Sequence, residues 1–198
     1  MKIKLFDEKE CREAVNHIFN MKNSGDLKHE NEHRFSTLNK NSYGCYSDPV
    51  FNSLALKALP QMEESCGLKL YPTYTYTRLY LPGYALVPHL DRPACEFSST
   101  VTIGYGDRES PWEIYIENDD LDGVEYILYP GEGVIYEGRK YHHWRLPLDK
   151  GWQIQTFVHY IEIEGEVYYD VLERDPNFDF SEPFHDFKYD PSKKYLMT

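Results

Sequence analysis

Three residues of this chain have the types and the spacing of a metal site. His89 and Asp91 are separated by a single residue, and His143 lies far downstream. Residues two apart on an extended segment point to the same face, so the side chains of His89 and Asp91 can reach one ion together. Two histidines and one carboxylate form the facial triad that holds Fe(II) and leaves coordination positions open, although zinc also accepts this set. We predict one divalent metal here, Fe(II) in the active protein.

His142 is the alternative to His143 as the third ligand. Neighbouring residues on a strand face opposite sides, so only one of these two histidines can reach the metal. We predict His143, because Arg145 then shares its face and places a cation where an acidic co-substrate would need one. His142 and Trp144 would face away from the site.

Turn residues bracket both ligand segments. Leu81-Pro82-Gly83-Tyr84 precedes His89, and the stretch from Pro130 to Gly138, which precedes His143, predicts a turn, a short strand and a second turn. Two ligand-bearing β segments joined through a run of short strands are how a double-stranded β-helix, or jelly roll, builds a metal site. The elements that position the candidate ligands are therefore predicted to be strands.

Strand patterns fill the chain after Gly67. Residues 73–80 alternate in the manner of a strand, and many short strands at regular spacing are typical of a sandwich or jelly roll. Further strands are predicted at about 96–105, 112–117, 124–129, 133–137, 141–146 and 152–162. The fold class is therefore predicted to be mainly β, with helices at the N-terminus and a jelly-roll core.

The first third of the chain is predicted to be helical. A capping-box pattern at Asp7 begins one helix, Pro49 suits the first turn of a second, and Gly67 ends it. The polar residues 22–46 are predicted to form a loop, with a short strand at 34–38. We expect a single domain over 1–198, made of helical support over 1–67, a double-stranded β-helix core over 68–165 and an irregular tail over 166–198.

Composition and charge argue against several classes of function. The 198 residues carry a formal net charge of −12, which does not suit a surface for nucleic acids or anionic membranes. No apolar run reaches the about 18 residues of a membrane span, and the first residues turn acidic too soon for a signal peptide. We expect a cytoplasmic protein that binds neither nucleic acid nor membrane and keeps its four cysteines reduced.

Four motifs between about Tyr74 and Tyr160 occur together in one known family. They are Tyr80-Leu81-Pro82-Gly83, Pro88-His89-Leu90-Asp91, Gly131-Glu132-Gly133 and His143-Trp144-Arg145. In these motifs the chain resembles the Fe(II)- and 2-oxoglutarate-dependent oxygenases, specifically small bacterial and phage members of the prolyl 4-hydroxylase-like branch. The resemblance implies Fe(II), 2-oxoglutarate and O2 as reactants, and hydroxylation of a peptide, protein or small molecule with release of succinate and CO2. It also implies that Tyr80 contacts the co-substrate.

One position departs from that family. Its members place a lysine or arginine on the last barrel strand, where it pairs with the far carboxylate of 2-oxoglutarate, whereas this chain has Gln153 and Gln155 there. The cation must come from another strand. An arginine can hold a carboxylate through two parallel hydrogen bonds. Arg145 is the first candidate and Arg78 the second, with Lys150 behind them.

Two other classes of protein remain open. The stretch from Gly131 to His142 and His143 also fits the second motif of a cupin metalloenzyme that does not use 2-oxoglutarate. Cupins, however, usually pair two histidines with a glutamate four residues on, and this chain has Asp91 as the near ligand and Pro93 in place of that glutamate. The third possibility is a non-enzymatic jelly roll with a structural or binding role. Such a module needs no metal triad, so the intact triad argues against it.

Two further expectations concern the surroundings of the triad. Arg92 and Glu96 flank the ligand segment and are expected to form a structural ion pair, with contact to substrate as the alternative. His159, on the last predicted strand, is expected to be a hydrogen-bonded core histidine rather than a metal ligand.

Overall fold

The computed structural model describes residues 1–29 and 41–184. Within these ranges the chain forms three α-helices and eleven strands. They are β1 (Lys2–Lys4), α1 (Glu8–Ser24), β2 (Lys28–His29), β3 (Ser42–Tyr46), α2 (Pro49–Cys66), β4 (Leu70–Tyr80), β5 (Leu86–His89), β6 (Phe97–Gly106), β7 (Ile114–Glu117), β8 (Gly123–Tyr126), β9 (Glu132–Tyr136), β10 (His143–Arg145), β11 (Trp152–Glu162) and α3 (Glu166–Arg174). A short 3-10 helix, Pro93–Cys95, lies between β5 and β6.

The strands form two antiparallel sheets. The larger has the order β1-β9-β6-β11-β4-β3-β2, and the smaller has the order β5-β10-β7-β8. The long central strands β4 and β11 pair along most of their length, with Gln153 opposite Tyr80 and Phe157 opposite Tyr76. The predicted fold class, mainly β with a double-stranded β-helix core, is confirmed.

Helices α1 and α2 pack on the outer face of the larger sheet, against β6 and β4 respectively. Asp7 caps α1, because its carboxylate accepts from the Glu10 backbone N–H and the Glu10 side chain accepts from the Asp7 N–H. Gly67 ends α2 in the left-handed conformation, with a φ of 70°. The main apolar core lies between these helices and the sheet and includes Ile18, Met62, Leu79, Val101 and Val158. The helices thus support one side of the barrel and leave its interior to the strands.

The N-terminal segment differs from its predicted helix-and-loop content in two places. The N-terminal segment is not purely helical, because Lys2–Lys4 adds an edge strand beside β9 and Ser42–Tyr46, predicted as loop, pairs with β4. The small residues Ser42 and Gly44 occupy the buried face of β3, so the strand lacks the apolar alternation that would have revealed it. The strand predicted at 34–38 lies outside the described residues.

The predicted irregular tail is also wrong over Glu166–Arg174, which forms α3. Val167 and Val171, four residues apart, bury one face of this helix against Ile161 and Tyr71. The rest of the described tail contributes Phe178 and Phe180 to the same cluster, and residues 185–198 lie outside the described part of the chain. Among the described residues, no helix is long and apolar enough to cross a membrane.

Candidate active site

The two histidines of the predicted triad meet where β5 and β10 pair. His89 ends β5, His143 begins β10, and the two residues lie directly opposite each other in the antiparallel ladder. Asp91 follows two residues after β5, and its backbone N–H donates to the carbonyl of Gly138 at 2.8 Å. A Cβ at position 138 would lie 2.5 Å from Asp91 Oδ2. Only glycine therefore allows the chain to pass this close behind the carboxylate.

The side-chain atoms of the three residues converge. Asp91 Oδ1 lies 3.8 Å from His89 Nε2 and 3.6 Å from His143 Nε2, and the two imidazole centroids are 4.2 Å apart. The Nδ1 atoms of His89 and His143 lie 3.0 Å and 3.1 Å from the carbonyl oxygens of Val87 and Tyr141. A carbonyl only accepts, so each Nδ1 carries a hydrogen and each Nε2 presents a lone pair toward the carboxylate. This arrangement fits a divalent ion with three protein ligands.

Burial sets the charge state of these groups. It lowers the pKa of His89 to about 4, with the neighbouring His143 acting in the same direction, so the imidazole is neutral as metal binding requires. Burial raises the pKa of Asp91, but the charge and hydrogen bond of His143, together with His159 and His89, hold it below its ordinary value. The cluster therefore contains an ionised carboxylate beside the neutral imidazole of His89, a site of the kind that a cation neutralises.

His143, not His142, faces this cluster. The side chain of His143 is 3% exposed, whereas that of His142 is 45% exposed and points to the opposite face of β10. There His142 Nδ1 lies 2.7 Å from a carboxylate oxygen of Glu117. The backbone at the start of β10 thus places His143 within the cluster and His142 away from it.

Arg145 is buried two residues beyond His143. Its Nη1 donates to the carbonyl oxygens of Trp112 at 2.5 Å and Glu113 at 3.1 Å, and the guanidinium lies 4.8 Å above the Trp112 ring. Its Nε and Nη2 are buried without a hydrogen-bond partner among the described residues. These two nitrogens form one edge of the guanidinium, the edge that matches the two oxygens of a carboxylate. Burial lowers the pKa of Arg145 to about 10, although Tyr80 and Glu113 act in the opposite direction.

Tyr136, on β9, is a site residue that the sequence did not reveal. Its ring lies 4.8 Å from the His143 ring, and its hydroxyl is buried without a partner among the residues described here. The hydroxyls of Tyr80 and Tyr136 are both close enough to Arg145 to raise its pKa against the effect of burial. Tyr136 is one of 18 tyrosines, and nothing in its sequence neighbourhood distinguishes it.

The second candidate cation, Arg78, is also buried, within a group of tyrosines. Its Nε donates to Tyr76 at 3.0 Å and its Nη1 to Tyr84 at 2.5 Å. The guanidinium also lies 5.8 Å from the centre of the Tyr80 ring. Arg145 therefore fits a carboxylate better than Arg78 does, because it has an open edge.

The two glutamines at the position of the family's cation form a neutral network. Gln155 Nε2 donates to Thr100 at 2.8 Å, while Gln155 Oε1 accepts from Thr102 at 3.1 Å and from Gln153 Nε2 at 3.0 Å. Gln153 Oε1 in turn accepts from the Trp112 backbone N–H at 2.7 Å. These glutamines therefore fix the backbone segment on which Arg145 is anchored.

The expected ion pair between Arg92 and Glu96 is wrong. Arg92 donates to the hydroxyls of Tyr74 at 3.1 Å and Tyr46 at 2.9 Å, whereas Glu96 lies 3.7 Å from Arg139. The intervening 3-10 helix turns the two side chains in different directions, which residue spacing alone does not show. His159 is buried as expected, with Nδ1 2.8 Å from Ser98 Oγ.

Comparison with known proteins identifies the fold. No protein-family model matches the chain, and no curated protein does. A prolyl-4-hydroxylase from Pseudomonas putida is similar over 80% of this chain and 91% of its own, at 15% identity and a TM-score of 0.57. The collagen prolyl hydroxylase of Paramecium Bursaria Chlorella virus-1, in its 2-oxoglutarate complex, is similar over 82% of this chain and 96% of its own. Its identity is also 15%, and its TM-score is 0.57.

HygX from Streptomyces hygroscopicus, with nickel and 2-oxoglutarate bound, is similar over 83% of each chain at 11% identity and a TM-score of 0.61. At such identities the likeness establishes the fold. The chain shares the jelly roll of the prolyl-4-hydroxylases and other 2-oxoglutarate/Fe(II) oxygenases, as its motifs predicted.

Proposed function

We propose that this protein is an Fe(II)- and 2-oxoglutarate-dependent oxygenase that hydroxylates a peptide, a protein or a small molecule. The observation that carries the proposal is the convergence of Asp91 Oδ1 with the Nε2 atoms of His89 and His143, at 3.8 Å and 3.6 Å, inside a fold that oxygenases share. Two imidazoles and a carboxylate suit Fe(II) and leave room for co-substrate and O2. Bound Fe(II) and 2-oxoglutarate together supply the oxidising chemistry, with succinate and CO2 as co-products.

The surroundings of the triad suit an anionic co-substrate. A carboxylate buried without a counterion costs several kcal/mol, so 2-oxoglutarate needs a cation at the end remote from the metal. Arg145 offers the open Nε–Nη2 edge for that carboxylate, and the buried Tyr136 hydroxyl offers a further donor close by. Tyr80 lies in the same neighbourhood. We assign these three residues to co-substrate binding, with Arg145 in the role that a cation on the last strand has in the family.

Two of the similar structures support a peptide or small-molecule substrate. One similar structure is a prolyl hydroxylase from Trichoplax adhaerens in complex with a peptide fragment, and another is HygX with hygromycin B bound. Proteins of this fold thus bind peptides and small molecules alike. The net charge of −12 favours either of these over a nucleic acid.

The proposal is tested by measuring succinate formed from 2-oxoglutarate with and without Fe(II), and iron bound per chain. The native protein should bind iron and turn over 2-oxoglutarate slowly even without substrate. Asp91→Ala should lose both properties while its circular dichroism spectrum is unchanged. His142→Ala is the matched control, because this neighbour of His143 faces away, and it should retain both. Full iron occupancy in Asp91→Ala would exclude the triad, and iron binding without succinate formation would favour the cupin reading.

A further inference from the structure

A second group of donor atoms lies behind the triad and shares Asp91 with it. One ligand atom each from Asp91, Cys95 and His159 lie within 4.8 Å of one another. Cys95 and His159 are 1% and 5% exposed, so this group belongs to the interior of the barrel. The oxygenase site proposed above uses neither Cys95 nor His159.

The hydrogen bonds around His159 leave one of its nitrogens available. We assign the Ser98 hydroxyl hydrogen to the Cys95 carbonyl at 3.3 Å and the His159 Nδ1 hydrogen to Ser98 Oγ at 2.8 Å, because this tautomer gives both contacts a donor. This assigns the lone pair to His159 Nε2, which makes no hydrogen bond within the described ranges. Burial lowers the pKa of His159 to about 4, so the imidazole keeps this neutral form.

Cys95 is similarly placed to accept rather than to donate. Arg92 Nε donates to the Tyr74 oxygen at 3.1 Å, which leaves the Tyr74 proton for Cys95 Sγ at 2.9 Å. A sulfur that already accepts a hydrogen bond and lies near a guanidinium is a better metal ligand than an isolated buried thiol. Burial still raises the pKa of Cys95, so the thiol holds its proton until a cation replaces it.

The two oxygens of Asp91 have different surroundings. Oδ1 faces the Nε2 atoms of His89 and His143, whereas Oδ2 is buried without a hydrogen-bond partner among the described residues. An ionised carboxylate oxygen buried in this way is costly unless a proton, a donor or a cation meets it. The triad accounts for Oδ1 and leaves Oδ2 unexplained.

We propose that Asp91, Cys95 and His159 form a second cation site that selects zinc, with the Asp91 carboxylate bridging it to the triad. A thiolate, an imidazole and a carboxylate are the donors that Zn²⁺ takes in four-coordinate sites, whereas the sulfur-free triad suits iron. Zinc binding would release the Cys95 proton to solvent, give Oδ2 its missing partner and leave a fourth position for water. The site does not depend on the oxygenase activity and shares only Asp91 with it.

Cobalt provides the test, because Co²⁺ occupies zinc sites and a thiolate ligand adds a sulfur-to-cobalt charge-transfer absorption in the near ultraviolet. Metal-free full-length protein is titrated with CoCl2 in the absence of oxygen, and bound cobalt is counted after gel filtration. We expect a second equivalent of cobalt beyond the triad, together with the thiolate absorption. Added Zn²⁺ should remove that absorption. Saturation at one equivalent without the absorption would overturn the proposal.

Variants assign the second equivalent to its ligands. Cys95→Ser should lose the absorption and one equivalent of cobalt, and Cys66→Ser, which alters a thiol on α2 outside the barrel, should keep both. His159→Gln leaves the sulfur in place and should also lose the second equivalent, which guards against misfolding of the serine variant. Absorption that persists in Cys95→Ser would contradict the assignment. His89→Ala should lose the triad metal but keep the thiolate absorption, which separates failure of this site from failure of the proposed activity.

Discussion

Arg145 and Gln153, on strands of different sheets, hold the same peptide segment. The Trp112 carbonyl accepts from Arg145 Nη1 at 2.5 Å, and the Trp112 N–H donates to Gln153 Oε1 at 2.7 Å. Gln153, at the family's usual cation region, therefore helps to position the arginine that we propose in place of that cation. The consequence is a guanidinium with one edge fixed to backbone carbonyls and the other edge open.

Replacing Arg145 with Gln should raise the KM for 2-oxoglutarate about 10- to 100-fold, the scale of one lost charge-assisted pair of hydrogen bonds. Iron binding should change little, since Arg145 contacts no triad atom in the described structure. Steady-state kinetics and iron analysis check both points, with Arg139→Gln, an arginine paired to Glu96, as the control. If Arg78→Gln raises this KM and Arg145→Gln does not, the role belongs to Arg78. If neither variant changes it, the choice of co-substrate is wrong.

Tyr136→Phe should weaken 2-oxoglutarate binding without weakening the fold. The Tyr136 hydroxyl is buried and without a partner in the described part of the chain, so its removal deletes an unsatisfied group that costs about 1–3 kcal/mol when no ligand meets it. We expect an equal or higher melting temperature in the metal-free protein and a KM for 2-oxoglutarate raised about 3- to 10-fold, as for one neutral hydrogen bond. A lower melting temperature together with an unchanged KM would show that the hydroxyl has a structural partner instead.

Gly138→Ala should impair metal binding although the residue is not a ligand. The new Cβ would lie 2.5 Å from Asp91 Oδ2 and 2.6 Å from the Cys95 carbonyl oxygen, so the carboxylate must move. A substitution beside a metal ligand that shifts the ligand's side chain lowers metal affinity about 10- to 100-fold. Equilibrium titration of Fe(II), or of Co²⁺ as its substitute, measures this loss. Gly25→Ala is a control for general destabilisation: its φ of 85° makes the substitution strained, but no other atom lies within 4 Å of the added carbon, so metal affinity should be unchanged. Native affinity in Gly138→Ala would place the Asp91 side chain elsewhere.

The metal-free protein should lose stability as the medium becomes mildly acidic. His89 and His159 each have a pKa lowered from 6.5 to about 4 by burial, so the native state holds them neutral while the unfolded chain protonates them. Their contribution is complete above about pH 6.5 and is lost as the pH falls toward 4, at up to about 1.4 kcal/mol per pH unit for each histidine. Urea unfolding across this range measures the slope. His159→Gln should reduce it, and a pH-independent free energy of unfolding would contradict the burial of these groups.

The sequence predicted the strands well where alternation and turn residues coincide. The predicted strand at 152–162 is β11, and those at 96–105 and 133–137 match β6 and β9 to within a residue. Strand β3 was missed because serine and glycine fill its buried positions, and α3 because its short apolar face is interrupted by tyrosines and acids. Hydrophobic periodicity in a sequence indicates the apolar face of a helix or strand. Elements that bury small or polar residues show little of this periodicity.

The candidate site was predicted in part for similar reasons. Strand parity placed His143 and Arg145 on one face, because parity depends only on backbone geometry. The sequence could not reveal the surroundings of Tyr136, Cys95 or the two glutamines. These depend on which atoms remain without hydrogen bonds once several strands have packed. The partners of Arg92 were mispredicted for the same reason, because Tyr46 and Tyr74 come from distant parts of the chain.

The position of Arg145 on β10 also has a mechanical consequence. His143 and Arg145 are separated by about 7 Å of strand, a length set by covalent geometry rather than by the packing of two sheets. A cation on β11 would belong to the other sheet, so its distance from His143 would depend on how the two sheets pack. In the proposed co-substrate site, a single strand therefore sets the distance between a metal ligand and the cation that would hold the far carboxylate.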